Sequence, residues 1–255
     1  MTILRYELVE VVQTLRRQPR KLPHKLLGYA RRYRQVQRFP RLERPRDDPE
    51  AVVDFAFSVS NGLIKPIQVR NELLWLAQRV AAEKPRVVVE IGTARGGTLF
   101  VFAALADPEA TIISIDLPGG IHGGGYPSWK QPLYRSFARE QQQIHLLRGD
   151  SHDPAIREQL ERLVRGNAID FLFIDGDHTY TGARADFDTY ARLVRPNGLI
   201  ALHDICVHPR PEATPRGLPE VGRLWAELKA SYATATSELV EDPAQGWAGI
   251  GLVKR

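Results

Sequence analysis

Asp175, Asp177 and His178 stand within four residues of one another, at the end of an apolar run, FLFID, that closes on the first of them. Carboxylates carry fixed charge near neutral pH, and an imidazole exchanges a proton there. Burying such a group without a partner is costly. The alternative reading is a helix cap at Asp177 followed by a surface histidine. A second pair, His203-Asp204, ends another apolar run, LIAL. Further acids close apolar runs at Glu90 (VVVE) and Asp116 (TIISID), and Asp150 follows the run IHLL in Gly149-Asp150-Ser151.

These acids need a scaffold that lines up strand ends. Short β-branched or aromatic runs bounded by glycine read as buried strands of a parallel sheet. Ligands of such sheets sit beyond the carboxyl ends of the strands. Strands are expected over 87–91, 111–116, 144–147, 169–175, 199–202, 234–240 and 249–254. Helices are expected over 71–83, 99–106, 153–165, 181–193 and 221–231. Pro196-Asn197-Gly198 reads as a turn. The alternation predicts an α/β fold, a doubly wound, mostly parallel seven-stranded sheet of Rossmann-like form.

Between strand and helix, Gly92, Ala94 and Gly96 form a small-residue loop, Gly-x-Ala-x-Gly-Gly. Such a loop lets a ligand approach the backbone and the helix N-terminus. It is not the G-x-G-x-x-G dinucleotide fingerprint, which disfavours a nicotinamide dehydrogenase. Asp116, at a second strand tip, suits a ribose diol, or is simply a turn aspartate. The stretch 118–126 holds five glycines in nine residues and suits a lid, with Tyr126, Trp129 and Tyr134 as walls of a substrate site.

The 255 residues suffice for one large domain. A single cysteine, Cys206, excludes an internal disulfide or a Cys-rich zinc site and suits a reducing cytoplasm. The first residues show no signal-peptide core. Of 35 basic and 30 acidic residues, 13 and 6 fall in the first 50, leaving 22 and 24. The net charge of +5 therefore belongs to a basic N-terminal extension, 1–48, ahead of a near-neutral domain, 49–255. The extension suits an anionic membrane surface at the cytoplasmic face, a partner subunit, or packing on the domain. Nucleic acid is disfavoured by the slightly acidic main domain. A homo-oligomer is compatible with the sequence.

From VVVEIGTARGG, ISID, GDSHD, FIDGDHTY and LIALHD together, the chain from 72 to 255 resembles class I S-adenosylmethionine-dependent methyltransferases. More narrowly it resembles the metal-dependent O-methyltransferases related to macrolide-sugar methyltransferases and the cephalosporin-hydroxylase-like group. The resemblance implies that Gly92, Ala94 and Gly96 pass the methionine end of S-adenosylmethionine, with Glu90 near its ammonium. It implies Asp116 at the ribose, and Asp150 and Ser151 at the adenine. It further implies His178 as the general base and Asp175, His203 and Asp204 as ligands of a divalent ion such as Mg²⁺. The chain departs from that group at His203, where a carboxylate is usual. The expected reaction is methylation of a hydroxyl on a glycan or another hydroxylated natural product. The alternatives are an RNA or protein methyltransferase docking through the basic arm, and a cofactor-binding scaffold without catalysis.

Overall fold

In a computed structural model, residues 22–118, 125–139, 141–207 and 220–255 are described. The glycine-rich stretch expected to form a lid falls largely outside them, as do the first 21 residues of the basic extension. The elements run α1 (Leu22–Arg38), α2 (Pro49–Gly62), α3 (Arg70–Glu83), β1 (Val87–Ile91), α4 (Gly97–Leu105), β2 (Thr111–Asp116), α5 (Gln131–Arg135) and β3 (Gln143–Arg148). They continue with α6 (Pro154–Val164), β4 (Ile169–Ile174), α7 (Tyr180–Tyr190), β5 (Val194–His203), α8 (Val221–Tyr232), β6 (Thr236–Leu239) and β7 (Ile250–Lys254).

The seven strands form one sheet in the order β3-β2-β1-β4-β5-β7-β6. β1 to β5 are parallel, and β7 is antiparallel to both neighbours. Period-two alternation splits β1 between two cores. Val88 faces α2, α3 and α4, whereas Val87, Val89 and Ile91 face α6, α7 and α8. The strand order reverses between β1 and β4, so a crevice opens above their carboxyl ends.

Side-chain caps start two of the helices. Asp48 precedes Pro49 and accepts hydrogen bonds from the Glu50 and Ala51 amides, 3.0 and 3.3 Å. Asp153 precedes Pro154 and accepts one from Ala155. One detail differs from expectation. Pro196-Asn197-Gly198 is not a turn between elements but lies within β5. Asn197 adopts φ +61°, its amide bonds the Arg255 carbonyl, and the β4–β5 register shifts there, so the strand bulges and resumes. The described half of the basic segment packs on the domain, one of the alternatives the sequence left open. Val36 and Phe39 are buried, and Phe39 packs on Phe55, Phe100 and Phe137 with ring centroids 5.3 to 6.2 Å apart.

Candidate functional site

The tips of β1 to β5 enclose a cavity of about 550 Å³, within the range of small-molecule sites. Gly92, Ala94, Asp116, Asp150, Ser151, Asp175, His178, His203 and Asp204 all line it. Glu90 and Gly96 do not.

The loop after β1 is fastened from three sides. Gly92 sits at φ +93°, and a Cβ there would lie 2.0 Å from the Asp175 carbonyl oxygen, so the β1 and β4 tips can meet only at glycine. One oxygen of Asp116 accepts both loop amides, Thr93 N–H at 2.9 Å and Ala94 N–H at 2.8 Å. Burial pushes the Asp116 carboxyl up, and those two amides oppose the shift. Tyr134, fully buried, donates to the Ala94 carbonyl at 3.0 Å. Its ring also fills the space beside Gly96, where a Cβ would come within 2.5 Å of it. Gly96 is thus needed for packing behind the loop. Tyr126 and Tyr134, expected as walls of a substrate site, are instead core residues with centroids 4.7 Å apart. Glu90 is entirely buried beneath the loop; Thr98 donates to it at 2.5 Å, and burial pushes its carboxyl up to about 8.

At the β3 end, Asp150 Oδ1 accepts the His152 amide at 2.9 Å, and Tyr190 donates to the Ser151 carbonyl at 2.6 Å. Leu117, nearly half exposed, offers an apolar lining residue next to Asp116.

At the β4 and β5 tips the charged groups converge. Asp175, His178 and Asp204 each present one ligand atom within 4.8 Å of the others. His178 Nε2 lies 3.6 Å from Asp175 Oδ1, and its Nδ1 lies 3.3 Å from Asp204 Oδ2. His203 approaches from behind, with Nδ1 3.0 Å from Asp175 Oδ1 and 3.5 Å from Asp204 Oδ1. The sequence reading set His203 among the ligands and His178 outside as a base; the geometry groups His178 with the two acids. Burial opposes protonation of His203, but Asp175 and then Asp204 outweigh it and its imidazole is pushed up to about 9. Asp204 takes φ +61°, a left-handed conformation that aspartate tolerates better than most residues. Its Oδ1 accepts the Ala248 amide at 3.0 Å. Asp177 is occupied locally, accepting the Thr179 amide at 2.8 Å, while Thr179 caps α7.

Three contributors have no signal in the sequence. Gln68, buried just before α3, points its side-chain amide at Asp175 Oδ2 over 2.6 Å. Glu72, fully buried on α3, accepts the Glu241 and Gly249 amides, one on each carboxylate oxygen, and so pins the loop carrying Trp247. Trp247 lines the cavity on that side. Each lies far in sequence from its partner, 107 residues for Gln68.

A divalent ion fits the donor set: two carboxylates and an imidazole converge, and each acid has an oxygen already turned by Gln68 or Ala248.

Comparison with known proteins agrees with this architecture. Residues 89–205 match the family model described as a methyltransferase domain. The fold is similar to that of an O-methyltransferase from Bacillus cereus solved with S-adenosylhomocysteine (SAH), at 19% identity and TM-score 0.56, covering 83% of this chain and 92% of that one. It is similar to the O-methyltransferase TomG from Streptomyces achromogenes, solved with S-adenosylmethionine, at 18% identity and TM-score 0.53, covering 85% and 93%. It also resembles MycE from the mycinamycin biosynthetic pathway, solved with Mg and SAH, at 18% identity and TM-score 0.50, covering 83% and 55%. Among curated sequences, an uncharacterised Sinorhizobium fredii protein is 30% identical over 62% of this chain, and an uncharacterised Acanthamoeba polyphaga mimivirus protein 32% identical over 56%. The chain spans 16% and 60% of those two relatives. The methyltransferase resemblance and the seven-stranded Rossmann-like sheet are both borne out.

Proposed function

We propose that this chain is an S-adenosylmethionine-dependent O-methyltransferase, assisted by a divalent ion, that methylates a hydroxyl of a glycan or another hydroxylated natural product. One observation carries the reading: Asp175, His178 and Asp204 converge within 4.8 Å in the same cavity as the Gly92–Ala94 loop. The methyl donor would lie along the β1–β3 tips, its methyl end by Gly92 and Ala94. Its base would lie between Leu117 and Asp150, since an apolar surface beside a carboxylate acceptor suits a flat amine-bearing ring. Asp116 spends one oxygen on the loop amides, which leaves the other for a ribose hydroxyl. Ser151 borders the base.

When bound, a divalent ion lowers the pKa of an oxygen it touches, which a weakly nucleophilic hydroxyl needs. Asp175 and Asp204 would hold it, with His178 within reach as third ligand or as the group that takes the hydroxyl proton. His203 and Gln68 orient Asp175, and the Ala248 amide orients Asp204. Glu90 lies behind the loop and outside the cavity, so it would act toward the cofactor ammonium through the loop rather than by contact. The division at residue 48 is likewise a proposal, with the exposed arginines of α1 as a docking face for an anionic surface or partner. Among the described residues, no helix is long and apolar enough to cross a membrane.

The deciding experiment is calorimetry with S-adenosylmethionine, SAH and NAD, with and without Mg²⁺, followed by labelled-methyl transfer to a panel of hydroxylated acceptors. Binding of NAD instead of SAH would overturn the reading. Cofactor binding without transfer to any hydroxyl would leave the scaffold alternative.

A further inference from the structure

Asp186 lies on α7, and its carboxylate is fully buried. Neither of its oxygens accepts a hydrogen bond of good geometry among the described residues. The nearest opposite charge is His152, whose Nε2 lies 3.3 Å from Asp186 Oδ1 and 3.2 Å from the Gly182 carbonyl. On the other edge of the ring, Nδ1 lies 3.3 Å from Asp150 Oδ1. Both ring nitrogens therefore face acceptors. A neutral imidazole can donate from one nitrogen only; an imidazolium donates from both. An ionised carboxylate as buried as Asp186 needs a compensating charge.

We propose that Asp186 is a positioning residue for the cofactor: it keeps His152 doubly protonated between two carboxylates, which fixes Asp150 with one oxygen left for the base. The inference rests on the cofactor placement proposed above. Asp150 Oδ1 is occupied by the His152 amide and ring, while Oδ2 has no protein partner among the described residues. His152 lines the cavity and is about one-third exposed, so it can reach both solvent protons and the ligand wall. The other groups around the ring do not replace Asp186. Asp177 is bonded to Thr179, and Arg157 and Glu161 on α6 pair with each other at 3.6 Å. Tyr190 is committed to the Ser151 carbonyl. The Asp186 carboxylate beside the ring is the largest cause that pushes His152 up to about 9, against the opposing effect of burial.

The test has two arms. SAH affinity is measured by calorimetry from pH 6 to 10.5 in the wild type and in Asp186→Asn. The wild type should bind with constant affinity up to about pH 9 and weaken above it. In Asp186→Asn the break should fall toward the ordinary histidine range of about 6.5, with affinity at pH 8 down roughly 5- to 20-fold. The same break in both proteins would overturn the proposal, and would leave Asp186 a packing residue. In the second arm, the His152 ring is titrated by NMR without cofactor and assigned by its loss in His152→Gln. A wild-type pKa near 6.5 would overturn the imidazolium whatever the cofactor, and also covers an Asp186→Asn that fails to fold. A wild type that titrates near 9 but binds no SAH would instead sink the cofactor placement.

Discussion

The two ends of the cavity use the same parts for different ends. At the β3 tip, His152 lies between Asp150 and Asp186; at the β4 and β5 tips, His178 lies between Asp175 and Asp204. The distances are alike, 3.3 to 3.6 Å. What differs is where the acids stand. Asp186 is shut inside α7, out of reach of a ligand, so its charge is answered by a proton on His152. Asp175 and Asp204 both line the cavity, and Gln68 and Ala248 already hold one oxygen of each. That end sets two carboxylates on the cavity, where a divalent ion would meet both, with His203, pushed up to about 9, behind them; at the β3 end only Asp150 faces the cavity. Residue types alone do not distinguish an ion site from a positioning clasp. Whether the second acid lines the cavity does, as Asp204 does and Asp186 does not.

The comparison breaks most visibly at the ion end. Asp175→Asn and Asp204→Asn keep the shape of each side chain, and asparagine tolerates the left-handed backbone at 204. Each should remove Mg²⁺ stimulation and cut turnover on the order of 10³–10⁴-fold, the several kcal/mol expected of a lost ion, while SAH binding survives. Retained Mg²⁺ dependence in both variants would show that the acids are merely structural. His178→Gln should come next, at roughly 10²–10³-fold in turnover, the share of a proton acceptor. If His178 is the base, the acid limb of the pH–rate profile should vanish while Mg²⁺ affinity holds. If Mg²⁺ affinity falls instead, His178 is a ligand.

At the other end the effects are smaller and read in stability. The folded-state pKa of His152, about 9, lies above its unfolded value of about 6.5. Its contribution is therefore whole below about pH 6.5 and is lost as pH rises to about 9. Asp186→Asn should flatten that decline. The difference in Tm near pH 6 should be roughly 2–4 °C, since a partly exposed ring is screened by solvent. Parallel melting curves in the two proteins would refute the imidazolium.

Much of this was legible in the sequence because strands announce themselves by apolar runs, and the acids that close them must fall at one sheet edge. Asp116, Asp150, Asp175 and Asp204 all line the cavity for that reason. What could not be read is which way each side chain turns within that edge. Glu90 follows the same pattern as Asp116, yet alternation along β1 sends it under the loop rather than into the cavity. Gly96 looked like a ligand-approach glycine, but Tyr134 occupies the space it leaves. Gln68, Glu72 and Asp186 act through partners more than 100 residues away or through burial, and no local spacing encodes either.

Glu90 sharpens the comparison as a fully buried acid with no imidazole beside it. Among the described residues Thr98 donates to one oxygen and the other is buried without a hydrogen-bond partner, and burial pushes the carboxyl up to about 8. It therefore supplies its own proton where Asp186 borrows one from His152. Since its folded-state pKa lies above the unfolded value of about 4.5, the native state takes up a proton on folding between pH 4.5 and 8. Stability should fall as pH rises across that window, and stay level beyond it. Glu90→Gln resembles the protonated acid in shape and cannot titrate. It should remove that pH dependence, and gain on the wild type steadily from pH 5 to 8. Its effect on cofactor affinity should be the smallest of the series, within about 2-fold, because the side chain lies outside the cavity. A tenfold loss of SAH affinity in Glu90→Gln with an unchanged melting profile would reverse this. Glu90 would then be ionised in the complex, with its unpartnered oxygen reserved for the cofactor ammonium, and the line between acids that hold the fold behind the cavity and acids that line it would have to be redrawn.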